Sequence, residues 1–297
     1  MYELEKLGER SYYIESPVKT GIYQIDEQNV LLIDSGNDKD AAKKIAKIIR
    51  TQNWHLKWII NTHSHADHIG GNAYLLEQFK CQAFTVGVET AFMKYPILEP
   101  SFLYGGYPMK ALRNKFLMAK PSEVASIDDF ETVTGLSDFE FIHLDGHTFN
   151  MIGIKTPDGV WYLGDAINGA HIIEKYHVSF LYDVSAYLES MEKLIKLEGN
   201  CFVLAHAGIC EDLGELIDIN KRKVLEIIAL IESFCENEIG FENLLKKIFD
   251  HYNLKMDMNQ YVLVGSTIKS YLSYLSDGDR IFATFKENNL LWQKNIK

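Results

Sequence analysis

Asn61-Thr62-His63-Ser64-His65-Ala66-Asp67-His68-Ile69-Gly70-Gly71-Asn72 is the stretch from which this chain is best read. Three histidines and an aspartate fall within six residues, directly after the apolar run Leu56-Lys57-Trp58-Ile59-Ile60. That run is short, β-branched and aromatic, and reads as a buried strand. Gly70-Gly71 then opens a helical pattern from Asn72 to Lys80. The cluster therefore falls on a strand-to-helix loop at the carboxyl end of a strand, where open α/β sheets place their sites. Neutral imidazole and carboxylate are ligands of zinc and similar divalent metals. Alternation along an extended segment sends His63 and His65 the same way. Asp67 and His68 follow as the chain turns, within reach of a second ion.

Outward from that loop, strands are expected at 11–14, 21–25 and 30–34, the last two joined by the turn Asp26-Glu27-Gln28-Asn29. A helix over 39–53 turns Ala42, Ile45, Ala46, Ile48 and Ile49 inward. Further strands are expected at 81–86, 138–145, 151–155, 160–163 and 201–205, with a short helix at 89–93 and a longer one at 184–197. Strand ends supply more candidates: Gly146-His147-Thr148, Gly164-Asp165 and Ala205-His206-Ala207. Asp34 ends the third strand and reads as a cap for the next helix. His143 reads as an ordinary sheet histidine, and His171 and His177 as loop residues able to face a substrate.

His63-x-His65-x-Asp67-His68 resembles the signature of the metallo-β-lactamase-fold hydrolases, on the branch with glyoxalase II thioesterases and the β-lactamase-like protein 2 ribonucleases. The resemblance covers about residues 11 to 210. It implies an α/β, four-layer αββα sandwich over 1–211, followed by a mostly helical, winged-helix-like appendage over 212–297. It also implies two divalent metal ions, zinc by default with iron or manganese possible. His63, His65 and His147 would hold one and Asp67, His68 and His206 the other, with Asp165 bridging. For Asp34 the resemblance implies, instead of a cap, a buried carboxylate behind the histidine loop. A metal-bound hydroxide would then attack an ester or thioester, with Asp67 as the catalytic residue that holds the nucleophile and shuttles its proton. Phe149-Asn150-Met151 after His147 departs from the glyoxalase II pattern.

Composition frames the rest. With 47% hydrophobic residues and a net charge of −11, the chain describes an acidic globule and not a general nucleic-acid binder. Cys81, Cys201, Cys210 and Cys235 are widely spaced and read as free thiols of a cytoplasmic protein, Cys210 being near enough to His206 to lie behind the site. No membrane span is expected. Residues 95–123 are rich in Pro, Gly and aromatics, and Lys110, Arg113, Lys115 and Lys120 stand there without an acid between Tyr107 and Lys120. That segment is expected to be a substrate wall or lid for a small anionic metabolite. Otherwise it is a helix packing Ala111, Leu112, Phe116 and Leu117, or a homodimer contact. Residues 239–297 carry 8 basic and 6 acidic side chains, a net of +2. This keeps a metal-dependent ribonuclease or phosphodiesterase, holding RNA with the tail, as the alternative function. A lactonase ranks behind both, and a binding protein without catalysis behind these.

Overall fold

The computed structural model describes residues 2–295. Strands β1 (Glu3–Lys6), β2 (Ser11–Glu15), β3 (Thr20–Gln24) and β4 (Asn29–Ile33) pair antiparallel in chain order. From β4 the chain changes to parallel crossovers. Helix α1 (Lys39–Thr51) leads to β5 (His55–Ile60), and α2 (Ala66–Ile69) and α3 (Asn72–Phe79) lead to β6 (Gln82–Thr85). After α4 (Glu89–Lys94) and α5 (Leu98–Tyr104), β7 (Ala125–Ser126) completes a seven-stranded sheet whose spatial order is the chain order. Helix α6 (Phe130–Thr134) crosses to a second sheet of β8 (Glu140–His143), β9 (Ile152–Lys155), β10 (Val160–Tyr162), β11 (Cys201–Leu204) and β12 (Gly208–Cys210). Helices α7 (Ala170–Tyr176) and α8 (Val184–Leu194) lie between β10 and β11 in the chain.

Alternation along the strands builds the layers. Leu31 and Ile33 of β4 enter one buried cluster with Ile152 and Ile154 of β9 and Val160 and Tyr162 of β10. Their neighbours Val30 and Leu32 face the other way, onto Ala42, Ile45, Ala46 and Ile49 of α1 and Leu75 of α3. Ile45 and Ile49 are 0% exposed, and such burial contributes about 1.5–3 kcal/mol per side chain. On the second sheet, Cys201 and Val203 point inward while Phe202 and Leu204 meet Tyr187, Met191 and Leu194 of α8. The order helix, sheet, sheet, helix expected from the sequence is the one observed.

The tail runs α9 (Gly214–Phe234), β13 (Ile239–Gly240), α10 (Phe241–His251), α11 (Met258–Asp277), β14 (Ile281–Lys286) and β15 (Asn289–Lys294). Its small antiparallel sheet has the order β13-β15-β14, so the three helices and the wing hairpin are present. Ile217, Val224 and Ile228 of α9 and Ile268 and Leu272 of α11 share one cluster with Met191 and Phe202. The tail thus covers the outer face of the second sheet.

Several local readings are corrected. Residues 107–120 do not form the amphipathic helix considered as one option; they make a single 3-10 turn at Lys110–Leu112. Leu112 and Leu117 are buried there, but Phe116 is 69% exposed. Helix α5 was hidden by Pro100, which occupies its third position, where a missing backbone N–H costs nothing. Helix α7 replaces a loop, so His171 is helical and His177 ends the helix. Among the described residues no helix is long and apolar enough to cross a membrane.

Candidate metal centre

Four strand ends converge at one edge of the sandwich. After β5, Thr62 donates its backbone N–H to Asp34 Oδ1 and its hydroxyl to Asp34 Oδ2, both at 2.9 Å. His68 Nδ1 lies 2.8 Å from the same Oδ2. Asp34 is therefore the carboxylate behind the histidine loop, and Asp38 caps α1 instead. With Nδ1 given to Asp34, His68 presents Nε2 to the site. His63 is oriented in the same manner. The Thr62 hydroxyl spends its proton on Asp34 and can accept from His63 Nδ1 at 3.0 Å, which leaves Nε2 facing inward. His147 Nδ1 lies 3.1 Å from the Phe180 carbonyl, which can only accept, so its Nε2 also carries a lone pair inward. Gly146 makes this turn possible: its φ is +116°, and a Cβ there would collide with the backbone nitrogen of Tyr187.

The inward atoms fall into two groups, each with its donors within 4.8 Å of one another: His63, His65, His147 and Asp165, and Asp67, His68 and His206. His147 Nε2 and His65 Nδ1 are 3.0 Å apart, close to the ~3.3 Å between two nitrogens sharing a tetrahedral zinc at ~2.0–2.1 Å each. Asp165 joins the groups. Its Oδ1 is 3.3 Å from His68 Nε2, and its Oδ2 is 3.5 Å from both His147 Nε2 and His206 Nε2. His63 Nε2, His68 Nε2 and Asp165 Oδ1 are buried without a hydrogen-bond partner. Buried polar atoms are normally satisfied, so nitrogen and carboxylate atoms left bare in this way fit cations of the zinc type.

Electrostatics separates the two groups. Burial, aided by neighbouring imidazoles, holds His63 and His147 below the usual histidine range and lowers His65 to about 3. These rings stay neutral and can ligate. His206 is raised to about 10, chiefly by Asp165, and His68 is raised because Asp165, Asp34 and Asp67 outweigh its burial. Burial opposes charge on Asp67 and Asp165 too, but the His68 and His206 charges win; Asp67 falls to about 2. The carboxylates thus draw positive charge into the second group, and a bound cation would supply it in place of the protons.

Three supporting residues are not among the candidates singled out from the sequence. Glu89, 1% exposed, accepts from the Ser64 amide at 2.9 Å, from the Ser64 hydroxyl and from the Asn150 amide at 3.0 Å. It ties the His63–His65 loop to the His147 loop. Glu99 of α5 lies 3.7 Å from His65 Nε2, and burial, with the Glu89 charge, pushes its carboxyl up to about 8. Asn220 of α9 accepts from the Asn168 amide and the Tyr187 hydroxyl, both at 3.0 Å, and donates to the Asn168 carbonyl at 2.8 Å. It holds the loop that carries Asp165. A signal for Asn220 does exist: it interrupts the apolar stripe Ile217, Val224, Ile227, Ile231 of α9. Removing one partner strands buried polar groups at about 1–3 kcal/mol. Asn220→Ala is therefore expected to lose that much unfolding free energy in denaturant, and to bind zinc roughly tenfold more weakly against a competing chelator. Unchanged zinc affinity would make Asn220 a core residue only.

A cavity of about 430 Å³ opens over the centre, bounded by His65, Asp67, His147, Asp165 and His206 on the polar side. Lys115 and Phe116 reach it from the basic segment; Lys110, Arg113 and Lys120 do not. Helix α11 contributes Gln260, Leu263 and Val264. His171 and His177 do not line it, and His177 stacks on Tyr252 at 4.6 Å. Cys210 packs on the outer face of the second sheet, away from the donors.

A sequence model described as the metallo-beta-lactamase superfamily matches residues 14–206. The hydroxyacylglutathione hydrolase GloC of Haemophilus influenzae is 27% identical over 143 residues, which are 48% of this chain and 63% of that protein. The chain spans under two thirds of the length of the curated relatives it matches. A beta-lactamase domain protein from Burkholderia ambifaria superposes with a TM-score of 0.73 at 12% identity, covering 99% of this chain and 94% of that one. A metallo-beta-lactamase family protein from Thermus thermophilus gives 0.71 at 15% identity, covering 96% and 98%. Both likenesses are of fold, and both extend through the tail.

Proposed function

The chain belongs to the metallo-beta-lactamase superfamily, and on that premise we propose that it is a binuclear metal-dependent hydrolase of an ester or thioester of a small anionic metabolite. The observation that carries the reading is the convergence of seven donors, with three buried atoms left bare among them. His63, His65 and His147 would hold one ion, Asp67, His68 and His206 the other, and Asp165 both. Such a pair, zinc by our assignment with iron or manganese suited to the same donors, lowers the pKa of a water and polarises a carbonyl when bound. Asp67 stands on the open side of the centre with its side chain 40% exposed, placed to orient the attacking water and take its proton. The anion of the substrate is assigned to Lys115 on the cavity wall. The name of the Haemophilus relative, a hydroxyacylglutathione hydrolase, supports the reaction class. Four unpaired cysteines suit a reducing compartment, so we place the protein in the cytoplasm.

The ribonuclease alternative would use the winged-helix-like tail. Its helix α11 is instead packed on α5 and α8 and lines the cavity, and its exposed stripe of Lys269, Ser273 and Asp277 carries one cation against one anion, which does not favour a nucleic-acid groove. The test is metal analysis with a panel of thioesters, esters, lactones and short RNAs. About two ions per chain are expected, with thioester or ester turnover that a chelator abolishes and zinc restores. One ion or none, or cleavage confined to RNA, would overturn the proposal.

A further inference from the structure

Resting on the hydrolase reading, we propose that the acyl group of the substrate is apolar, several carbons long, and that α11 of the tail sets its length. The cavity divides by chemistry. Beyond the donors its apolar side is formed by Ile172, Val178, Phe180, Leu117, Leu263 and Val264, drawn from four separate stretches of chain, with Asn37, Glu99, Asn168, Ser179 and Gln260 as the polar part of the lining. Leu117, Phe180 and Leu263 pack in one cluster, and Val178 and Val264 in a second that backs it. Lys115 is the one lysine or arginine among the lining residues, and its ammonium lies 3.0 Å from Asp38. Arg113 is occupied with the Tyr107 hydroxyl at 3.0 Å. A substrate with several anionic groups would find one cation, already partnered, while an alkyl chain would find a wall.

The geometry also assigns the ends. The Asp67 and His206 side chains are 40% and 25% exposed, against 15% for His65 and 9% for His147. The open side suits a polar leaving group that departs into water. The closed side meets Phe180, whose ring lies 5.3 Å from the His65 ring and 5.8 Å from that of His147. An acyl chain whose carbonyl is over the centre would extend along Phe180 toward Leu263. Small-ligand pockets run to about 300–1,000 Å³, so 430 Å³ takes a medium chain and the head of its leaving group, but no polymer.

The test uses the full zinc-loaded chain and N-acetylcysteamine thioesters of acetate, butyrate, hexanoate and octanoate. Each methylene moved onto an apolar wall is worth about fourfold, so kcat/KM should climb by about that factor per methylene up to hexanoyl. Leu263→Trp should cut hexanoyl turnover about tenfold or more and flatten the rise of kcat/KM with chain length. Ile172→Trp, on a different element, serves should the first variant melt early. Calorimetry gives a readout without turnover: hexanoate should bind at least tenfold more tightly than acetate, and the difference should vanish in L263W. Hydrolysis that is flat or falls with chain length overturns the acyl assignment and leaves the hydrolase reading standing. No hydrolysis of any thioester or ester overturns the hydrolase reading, and equal binding of the two carboxylates then overturns the apolar pocket as well.

Discussion

Asp165→Ala should lower kcat/KM by about 10³-fold or more, which is about 4 kcal/mol of transition-state stabilisation, and leave the protein folded. The expectation follows from where the carboxylate stands. One oxygen lies 3.3 Å from His68 Nε2, and the other 3.5 Å from His147 Nε2 and His206 Nε2. Its side chain therefore touches both donor groups. A carboxylate can serve two cations because its oxygens carry separate lone pairs, and alanine offers none. Stability supplies the sharper readout. In the metal-free protein the Asp165 carboxylate partners the His68 and His206 charges. Its removal should therefore also cost some metal-free stability, and the comparison is made on the zinc-dependent gain of each protein. The gain from zinc is what disappears. Zinc at 100 times its Kd stabilises a one-site protein by about 2.7 kcal/mol, and a site weakened 100-fold gains only ~0.4 kcal/mol at the same concentration. Thermal melts with and without zinc, beside metal analysis, would decide it. A variant that still binds two ions and keeps its zinc-dependent shift would remove Asp165 from the bridging role.

Much of this centre was legible because its residues are chemically unusual where they occur. A histidine after a tight glycine turn, as at 146–147, or three histidines within a single loop have few structural uses, and each follows an apolar strand whose end can be located from alternation. The sandwich was legible for the same reason: β4 and β11 alternate between two covered faces, and α1 carries one clean apolar stripe. What stayed hidden depends on packing between distant segments. Glu89 reads locally as an acid in the first turn of a helix, a placement the helix dipole favours in any protein. Its task appears only once Ser64 and Asn150 are folded onto it. Proline at position 100 concealed α5 and so Glu99. The four basic residues of 110–120 suggested a charged wall, yet the chain turns so that one of them reaches the cavity. The tail looked like an attachment because its pattern is helical after an α/β body. Its α11 packs on α5, α8 and α9 and lines the cavity, contacts that a hydrophobic stripe does not reveal without its partner.

Asp34→Asn tests the support behind the donors and carries the second large effect. Asp34 has φ of +59°, a conformation that asparagine tolerates far better than most residues. The substitution therefore keeps both volume and backbone and changes only the charge and the hydrogen-bond sense. The carboxylate faces four donors: the Thr62 amide, the Thr62 hydroxyl, His68 Nδ1 and, at 3.5 Å, Asn61 Nδ2. An amide can accept through one end only, so its NH₂ would oppose a donor in a site that is 2% exposed. Leaving one or two buried groups unpaired costs about 1–3 kcal/mol each, so D34N should unfold about 2–4 kcal/mol more easily in urea. The same swap should weaken the metal. Thr62 would no longer be fixed to turn His63, and His68 would lose the partner that sends Nε2 inward. Losing such a partner typically costs 10–100-fold in metal affinity. Both losses should appear together, in denaturation of the metal-free protein and in chelator competition of the loaded one. Loss of stability with metal affinity untouched would mean that Asp34 holds the β4 turn and does not orient the histidines. Asp34→Gly, which also accepts the positive φ but offers no acceptor, should fall below D34N on both measures.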